Sequence, residues 1–97
     1  MTSNFRISAH KNKLNLYLDL MGEFDGSSAM ELIKVLKEYS SKIKNIIINT
    51  SGLNLINPFG LGVLQRECLA DSSLNGLRFI GKHGNIMEPH EGDPFWY

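Results

Sequence analysis

The stretch that decides the fold is residues 45–69, with the sequence NIIINTSGLNLINPFGLGVLQRECL. Its first part is a run of branched aliphatic residues too short for a helix, which predicts a buried strand over residues 45–50 and a loop over residues 53–56. Asn57 suits the N-cap of a helix because its side chain accepts from free backbone amides, and Pro58 suits the first helical position, where no N–H is needed. The stretch therefore predicts a strand, a loop and a helix that begins at Pro58.

The start of that helix is the predicted functional end of the molecule. A helix start carries unpaired amide donors and positive partial charge. In open α/β sheets, function usually lies at the carboxyl ends of strands and in the loops that follow them. We therefore expect the functional residues of this chain to lie between residues 50 and 61.

Composition indicates a small globular domain and excludes several partners. The 97 residues allow one domain with one modest core, and 42% hydrophobic residues with 21% charged residues are ordinary for such a domain. Ten basic residues balance ten acidic ones, so no net charge favours nucleic acid or an anionic membrane. No segment has the apolar character of a membrane span or a signal peptide, and the single Cys68 allows no internal disulfide. We expect a cytoplasmic protein.

The segments around the central stretch predict further strands. Leucines alternate with more polar residues over residues 14–21, which is typical of a strand with one buried face. Residues 5–9 predict a short edge strand, and residues 10–13 predict the hairpin turn that makes this pair antiparallel. Residues 77–80 predict a last short strand after the second helix.

The first of two main helices is predicted from Ser27 and Ser28 to about Ser40. Apolar residues recur there at helical spacing, and Ser28 and Glu31 have the spacing of a capping box. Strands that alternate with helices imply right-handed crossovers and parallel pairing. The sequence therefore predicts an α/β fold: a single small domain, with a mixed sheet of about four strands and two main helices packed mainly on one face.

The second helix has a costly start. Gly60 and Gly62 each lower helix stability by about 1 kcal/mol relative to alanine. Close packing of the helix backbone against the sheet or a neighbouring element would compensate for this cost. We expect such packing at both glycines.

The C-terminal segment, residues 82–97, differs from the domain predicted over residues 1–81. It is rich in glycine and proline and ends in Phe95, Trp96 and Tyr97. Three aromatics are costly to leave in water, so they either cover part of this domain or dock on a second chain. The potential metal ligands of the segment match no metal-binding spacing; they are His83, His90, Glu91 and Asp93.

The sequence contains no recognised catalytic motif. It lacks a nucleophile elbow, a metalloprotease helix, paired cysteines and a phosphate-binding loop. Glu23 and Asp25 are a candidate carboxylate pair, but a solvated turn in which Asp25 assists the helix start is favoured. We therefore expect no catalytic residue, cofactor or metal; an enzyme would need an unrecognised site around Glu23, Asp25, His83 or His90.

Two motifs together resemble a known family. They are LMGEFD at residues 20–25, followed by a capped helix, and LNLINPFGLGV at residues 53–63. Their order and spacing over residues 5–81 resemble the STAS domain, which anti-sigma-factor antagonists and the tails of sulfate transporters share. The resemblance implies a bacterial signalling module that regulates transcription by binding a protein, often a serine kinase that acts as an anti-sigma factor. It also implies a phosphorylatable Ser or Thr at the start of the second helix, whose modification releases the partner.

The chain departs from that family at the modified position. Phe59 stands where the family has the hydroxyl, Pro58 precedes it, and Asn57 replaces the family's aspartate. None of the three accepts a phosphate. We hypothesise a binding module without the phospho-switch, whose partner-binding residues are Asp25, Ser27, Leu55, Ile56, Asn57, Pro58, Phe59 and Gly60.

Other interpretations remain open at this stage. Phe59 either forms an apolar docking edge with Leu55 or Ile56, or folds into the core. The domain is alternatively a STAS-like module that binds a small molecule or anion through the amides of the Pro58 helix, although Pro58 removes one donor. The family's last helix is missing after Gly81, so the core is left partly covered, is covered by the C-terminal segment, or is completed by a homodimer.

Overall fold

The computed structural model of the protein describes residues 4–74 and 76–88. Within these residues the chain alternates strands and helices. The elements are β1 (Arg6–Lys11), β2 (Asn15–Phe24), α1 (Gly26–Ser40), β3 (Asn45–Ile56), α2 (Pro58–Ala70), a 3₁₀ turn (Ser72–Leu74), β4 (Leu77–Ile80) and α3 (Gly84–Met87).

The described strands form one mixed sheet in the order β1-β2-β3-β4. β1 pairs with β2 antiparallel through a hairpin, while β2 pairs with β3 and β3 with β4 in parallel. Leu18 lies at the centre, between Ala9 of β1 and Ile48 of β3. The predicted mixed sheet of about four strands, with its first strand at an edge, is confirmed.

The two long helices cover one face of this sheet. Leu16, Leu18 and Leu20 of β2 are buried in one core with residues of both α1 and α2. The alternate residues of β2 point to the other face, where Tyr17 and Met21 are partly exposed. The prediction of two main helices mainly on one face is therefore confirmed, and the period-two pattern of residues 14–21 is its cause.

The predicted loop over residues 53–56 is wrong, because β3 continues as a strand to Ile56. Its last residues pair with the end of β2, where Leu53 lies opposite Gly22 and Ile56 opposite Phe24. β2 reaches that far because Gly22 adopts a φ of 93°, a conformation that side chains disfavour, and a Cβ there would clash with the carbonyl of Asn4. Both strands therefore extend past a bulge to the functional end of the sheet.

α1 starts earlier than predicted, and the capping box of Ser28 and Glu31 is wrong. Asp25 is the N-cap: its Oδ1 accepts from the backbone N–H of Ser28 at 2.9 Å. The Ser28 hydroxyl lies 3.0 Å from the same oxygen and 2.8 Å from the carbonyl oxygen of Glu23, so both acceptors hold Ser28 inside the helix. Ser28 therefore cannot act as the cap, and the favoured role of Asp25 at the helix start is confirmed.

The same hydrogen bonds set the charge state of Asp25. The backbone N–H of Ser28, followed by its hydroxyl, lowers the pKa of the Asp25 carboxyl below its usual 3.8 because both donors stabilise the charged form. Asp25 therefore carries a negative charge at neutral pH.

α2 begins as predicted, with Asn57 as N-cap and Pro58 at the first helical position. The Asn57 Oδ1 accepts from the Phe59 N–H at 2.8 Å, and the Asn57 N–H donates to the Phe24 carbonyl at 2.8 Å. A Cβ added at Gly60 would lie 2.5 Å from the carbonyl oxygen of Asp25. The starts of α1 and α2 are therefore in direct backbone contact, and this contact requires a glycine at position 60.

Gly62 lacks the close packing that was predicted for it. A Cβ there would meet only the guanidinium of Arg66, at 3.4 Å and beyond. That group is the mobile end of a long side chain and can move aside. The helical cost of Gly62 is thus not offset by a backbone contact.

The core beneath β4 is completed partly by the C-terminal segment. Met87 is fully buried, whereas Ile86 is exposed. Gln65 of α2 is also buried, and its Nε2 donates to the Ile86 carbonyl at 2.9 Å, which attaches α3 to α2. The remaining residues of that segment lie outside the described part of the chain, including His90, Glu91, Asp93, Phe95, Trp96 and Tyr97.

Reactive groups are scarce in the described residues. Burial raises the pKa of the Cys68 thiol to about 11, so this cysteine is a neutral core residue at pH 7. Residues 4–74 and 76–88 bring no three potential metal ligands together. No helix of this part of the chain has the length and apolar character to cross a bilayer.

The contact between Gly60 and Asp25 predicts a contrast between two alanine substitutions in α2. Gly60→Ala should lower the free energy of unfolding by about 1 to 3 kcal/mol, because the added methyl group overlaps the Asp25 backbone. Gly62→Ala, the matched control, should raise it by up to about 1 kcal/mol through helix propensity. Urea unfolding of both variants measures the difference, and equal effects would contradict the assigned contact.

The Asp25 cap predicts a pH-dependent stability difference. The Asp25→Asn variant keeps an acceptor for the Ser28 N–H but loses the charge. Because the folded pKa of Asp25 is lowered, its charge stabilises the fold fully above the usual value of 3.8 and progressively less as the pH falls through the folded pKa. The melting temperatures of wild type and Asp25→Asn should differ at pH 7 and converge in acid; a constant difference at all pH values would refute the role of the charge.

Candidate protein-binding surface

The eight predicted partner-binding residues lie together where β3 ends and where α1 and α2 begin. The backbone contact between Gly60 and Asp25 and the hydrogen bond from Asn57 to Phe24 hold the two helix starts side by side. We call this region the helix-start surface; its members are Asp25, Gly26, Ser27, Met30, Leu55, Ile56, Asn57, Pro58, Phe59 and Gly60.

Phe59 is the central exposed side chain of this surface. It leaves 66% of its area accessible, so the interpretation that it folds into the core is wrong. One edge of its ring lies on the start of α1, because a Cβ at Gly26 would lie 2.9 Å from its Cε2 atom. The ring is therefore supported by the Gly26 backbone and presents its remaining area outward.

Further apolar side chains lie near this ring. Leu55, near the end of β3, is 58% exposed, and Ile56 is half-buried. Met30 is 61% exposed and lies one helical turn after Gly26, the residue that the Phe59 ring contacts. Large apolar side chains that are exposed together are typical of interaction sites.

Met30 was not predicted as a site residue. In the sequence it falls between the buried positions of α1 and looks like an ordinary surface residue. The available signal is its spacing of four residues from Gly26, but only the contact of Gly26 with Phe59 gives that spacing meaning.

Several of the predicted residues shape the surface rather than offer side chains for contact. Gly60 is buried and allows the helix starts to approach. Asp25 and Asn57 cap α1 and α2. Ser27 and Pro58 are exposed beside them and remain available to a partner.

At each helix start, one backbone donor is already used by the capping side chain. Asp25 accepts from Ser28, Asn57 accepts from Phe59, and Pro58 has no N–H to offer. The Asp25 carboxylate also contributes a negative charge at the same place. The electrostatics of the surface therefore disfavour an anionic ligand.

Ser51, the other hydroxyl near this end of the sheet, has a structural role. Its Oγ accepts from the Lys82 N–H at 3.0 Å, and its own N–H donates to the Asn49 side chain at 3.1 Å. These bonds hold the turn after β4 against β3, as expected for a turn-forming serine.

Comparison with known proteins gives matches in structure only. No family model and no curated protein matches the sequence. An anti-sigma factor antagonist from Mycobacterium paratuberculosis superposes with a TM-score of 0.65 at 13% identity, over 86% of this chain and 73% of that one. The anti-sigma factor antagonist SpoIIAA in its unphosphorylated form superposes with a TM-score of 0.55 at 18% identity, over 79% of this chain and 70% of that one.

Each superposition covers at least 79% of this chain. The chain therefore has the STAS-like fold found in anti-sigma-factor antagonists.

Proposed function

We propose that this protein is a regulatory module that binds another protein through the helix-start surface and has no phospho-switch there. The observation that carries the proposal is the Phe59 side chain, which is 66% exposed on a rigid platform of two joined helix starts. An aromatic ring that is exposed yet held in place is a typical anchor of protein interfaces.

The fold supports a proposal, by analogy, for the kind of partner. Both structural neighbours are described as anti-sigma factor antagonists. By analogy, the partner is a regulatory protein such as an anti-sigma serine kinase, and the module acts in the bacterial cytoplasm in transcription control. An enzymatic role has no support from the cysteine, whose pKa is raised, or from Asp25, which is engaged as a cap.

The chemistry of the surface favours permanent binding. A phosphate at this helix start would add about two negative charges beside the Phe59 ring and break apolar contacts with a partner. Residues 57–59 carry no hydroxyl that could accept it. The start of α2 therefore keeps the same charge whether or not a kinase is active.

The alternative of a small-molecule or anion site is weaker. The Ser28 and Phe59 amides are bonded to Asp25 and Asn57, and the Phe59 ring contacts the start of α1 at Gly26. No observation in the described residues favours this alternative.

Substitution of the anchor tests the proposal. Phe59→Glu should abolish retention of a specific protein from a lysate of the source organism, identified by mass spectrometry, because it replaces the apolar anchor with a charge. With the purified partner, the loss should reach about 2 kcal/mol of binding free energy or more, as for a central anchor. Affinity chromatography followed by calorimetry measures both effects.

Leu69→Glu is the matched control. Leu69 is 41% exposed and lies in the last turn of the same helix, away from the helix-start surface. This variant should retain the partner, and both variants should melt close to the wild type. Equal retention by wild type and Phe59→Glu would overturn the proposed site.

A further inference from the structure

Among the described strands, β1 forms the edge of the sheet opposite β4, and one side of its backbone is unpaired. The Asn12 N–H donates to the Asn15 carbonyl at 3.0 Å, which makes these residues a hydrogen-bonded pair of the hairpin. Hydrogen-bonded and non-hydrogen-bonded pairs alternate along an antiparallel ladder. The register of β1 and β2 then makes Ile7, Ala9 and Lys11 the non-hydrogen-bonded positions.

These positions direct their backbone groups away from β2. Ile7, Ala9 and Lys11 therefore point their N–H and C=O groups out of the sheet, and no described strand pairs with that side of β1. No proline or bulge interrupts β1. Such an edge is a template for an added strand.

The charged residues of this edge are all basic. Residues 4–13 contain Arg6, Lys11 and Lys13 but no Asp or Glu. Arg6 and Lys11 are exposed on opposite faces of the strand, opposite Met21 and Leu16 of β2. An incoming strand therefore meets a cation on each of its faces.

The acid nearest in register does not neutralise these cations. Asp19 lies opposite Ser8, and its Oδ1 accepts from the Asn49 Nδ2 at 3.1 Å. Its Oδ2 lies 3.6 Å from the His10 Nε2. Asp19 is thus engaged by Asn49 and His10. Among the described residues it forms no ion pair with Arg6, which shares its face of the sheet, or with Lys11, which lies on the other face.

These charges also select the occupant. A second copy of β1 would bring two sets of like charges to one seam without an acid from either strand, which is unfavourable. An extended segment rich in Asp or Glu would instead pair its carboxylates with Arg6 and Lys11 while its backbone satisfies the free groups.

We propose that the free edge of β1 binds an extended acidic segment of another protein by strand addition. Ile7, Ala9 and Lys11 supply the backbone pairing, and Arg6 and Lys11 select the acidic sequence. The residues differ from those of the helix-start surface, so this inference does not depend on the function proposed above.

A labelled seven-residue peptide with the sequence Glu-Glu-Val-Val-Val-Glu-Glu, which as a strand carries glutamate on both faces, is titrated with the full chain and tests this proposal by fluorescence anisotropy. Binding should be saturable at low salt and should weaken as salt is added. The corresponding peptide of valine and lysine should not bind. Equal binding of the two peptides would refute the charge selection.

Proline substitution tests the strand pairing itself. Ala9→Pro removes an N–H that β2 does not use, so an edge strand tolerates it, and it should weaken peptide binding about tenfold or more. Ala9→Thr keeps the N–H and should bind like the wild type. If both variants bind equally well, the peptide does not add to the edge and the proposal fails.

Two further measurements address an unfolded proline variant and a second copy of the chain as the occupant. Lys11→Glu should abolish binding of the acidic peptide without removing a backbone donor, which covers the case of an unfolded Ala9→Pro variant. Sedimentation of the peptide-free protein should show either a monomer or a dimer that Ala9→Pro leaves intact. A dimer that Ala9→Pro dissociates would show that a second copy of the chain occupies the edge, and it would overturn the proposal.

Discussion

The backbone contact between Gly60 and Asp25 is the constraint on which the functional end of this molecule depends. In this protein the first turns of α1 and α2 approach each other without a side chain between them. Gly60 provides that approach, and a Cβ there would lie 2.5 Å from the Asp25 carbonyl oxygen. Because α2 begins so close to α1, the side chain of Phe59, the residue before Gly60, lies on Gly26 of α1.

This arrangement supports an exposed aromatic ring on the backbone of α1. The caps at Asp25 and Asn57 each use one amide of a helix start, and Pro58 has no N–H, so the start of α2 offers fewer donors than an uncapped helix. Its character is therefore apolar with one carboxylate at its border. That combination suits recognition by shape and burial more than recognition of a small charged ligand.

Much of the fold is predictable because its main signals are local. The alternation over residues 14–21, the helical spacing in both helices and the Asn57-Pro58 start each depend on a single element. The errors arise where contact with an element distant in the sequence determines the local structure. β3 continues through residues 53–56 because the end of β2 pairs with it, and that extension depends on the positive φ of Gly22.

The same distinction between local and long-range signals explains which parts of the site are predictable from the sequence. The two motifs locate the helix starts, since capping residues and glycines are visible in the sequence. Two caps compete near Ser28, however, and the Glu23 carbonyl that engages the Ser28 hydroxyl decides between them. The exposure of Phe59 and the place of Met30 depend on how α1 meets α2, which no local pattern contains.

The parallel pairing of β2 with β3 also has a consequence for how the chain folds. The β1–β2 hairpin joins residues a few positions apart and closes at a small entropic cost, whereas Asn15 meets Asn45 only after the whole of α1 has been spanned. The central strand pair is thus a long-range contact, and such contacts slow folding. We therefore expect the hairpin to form before the crossover that brings β3 to its neighbour.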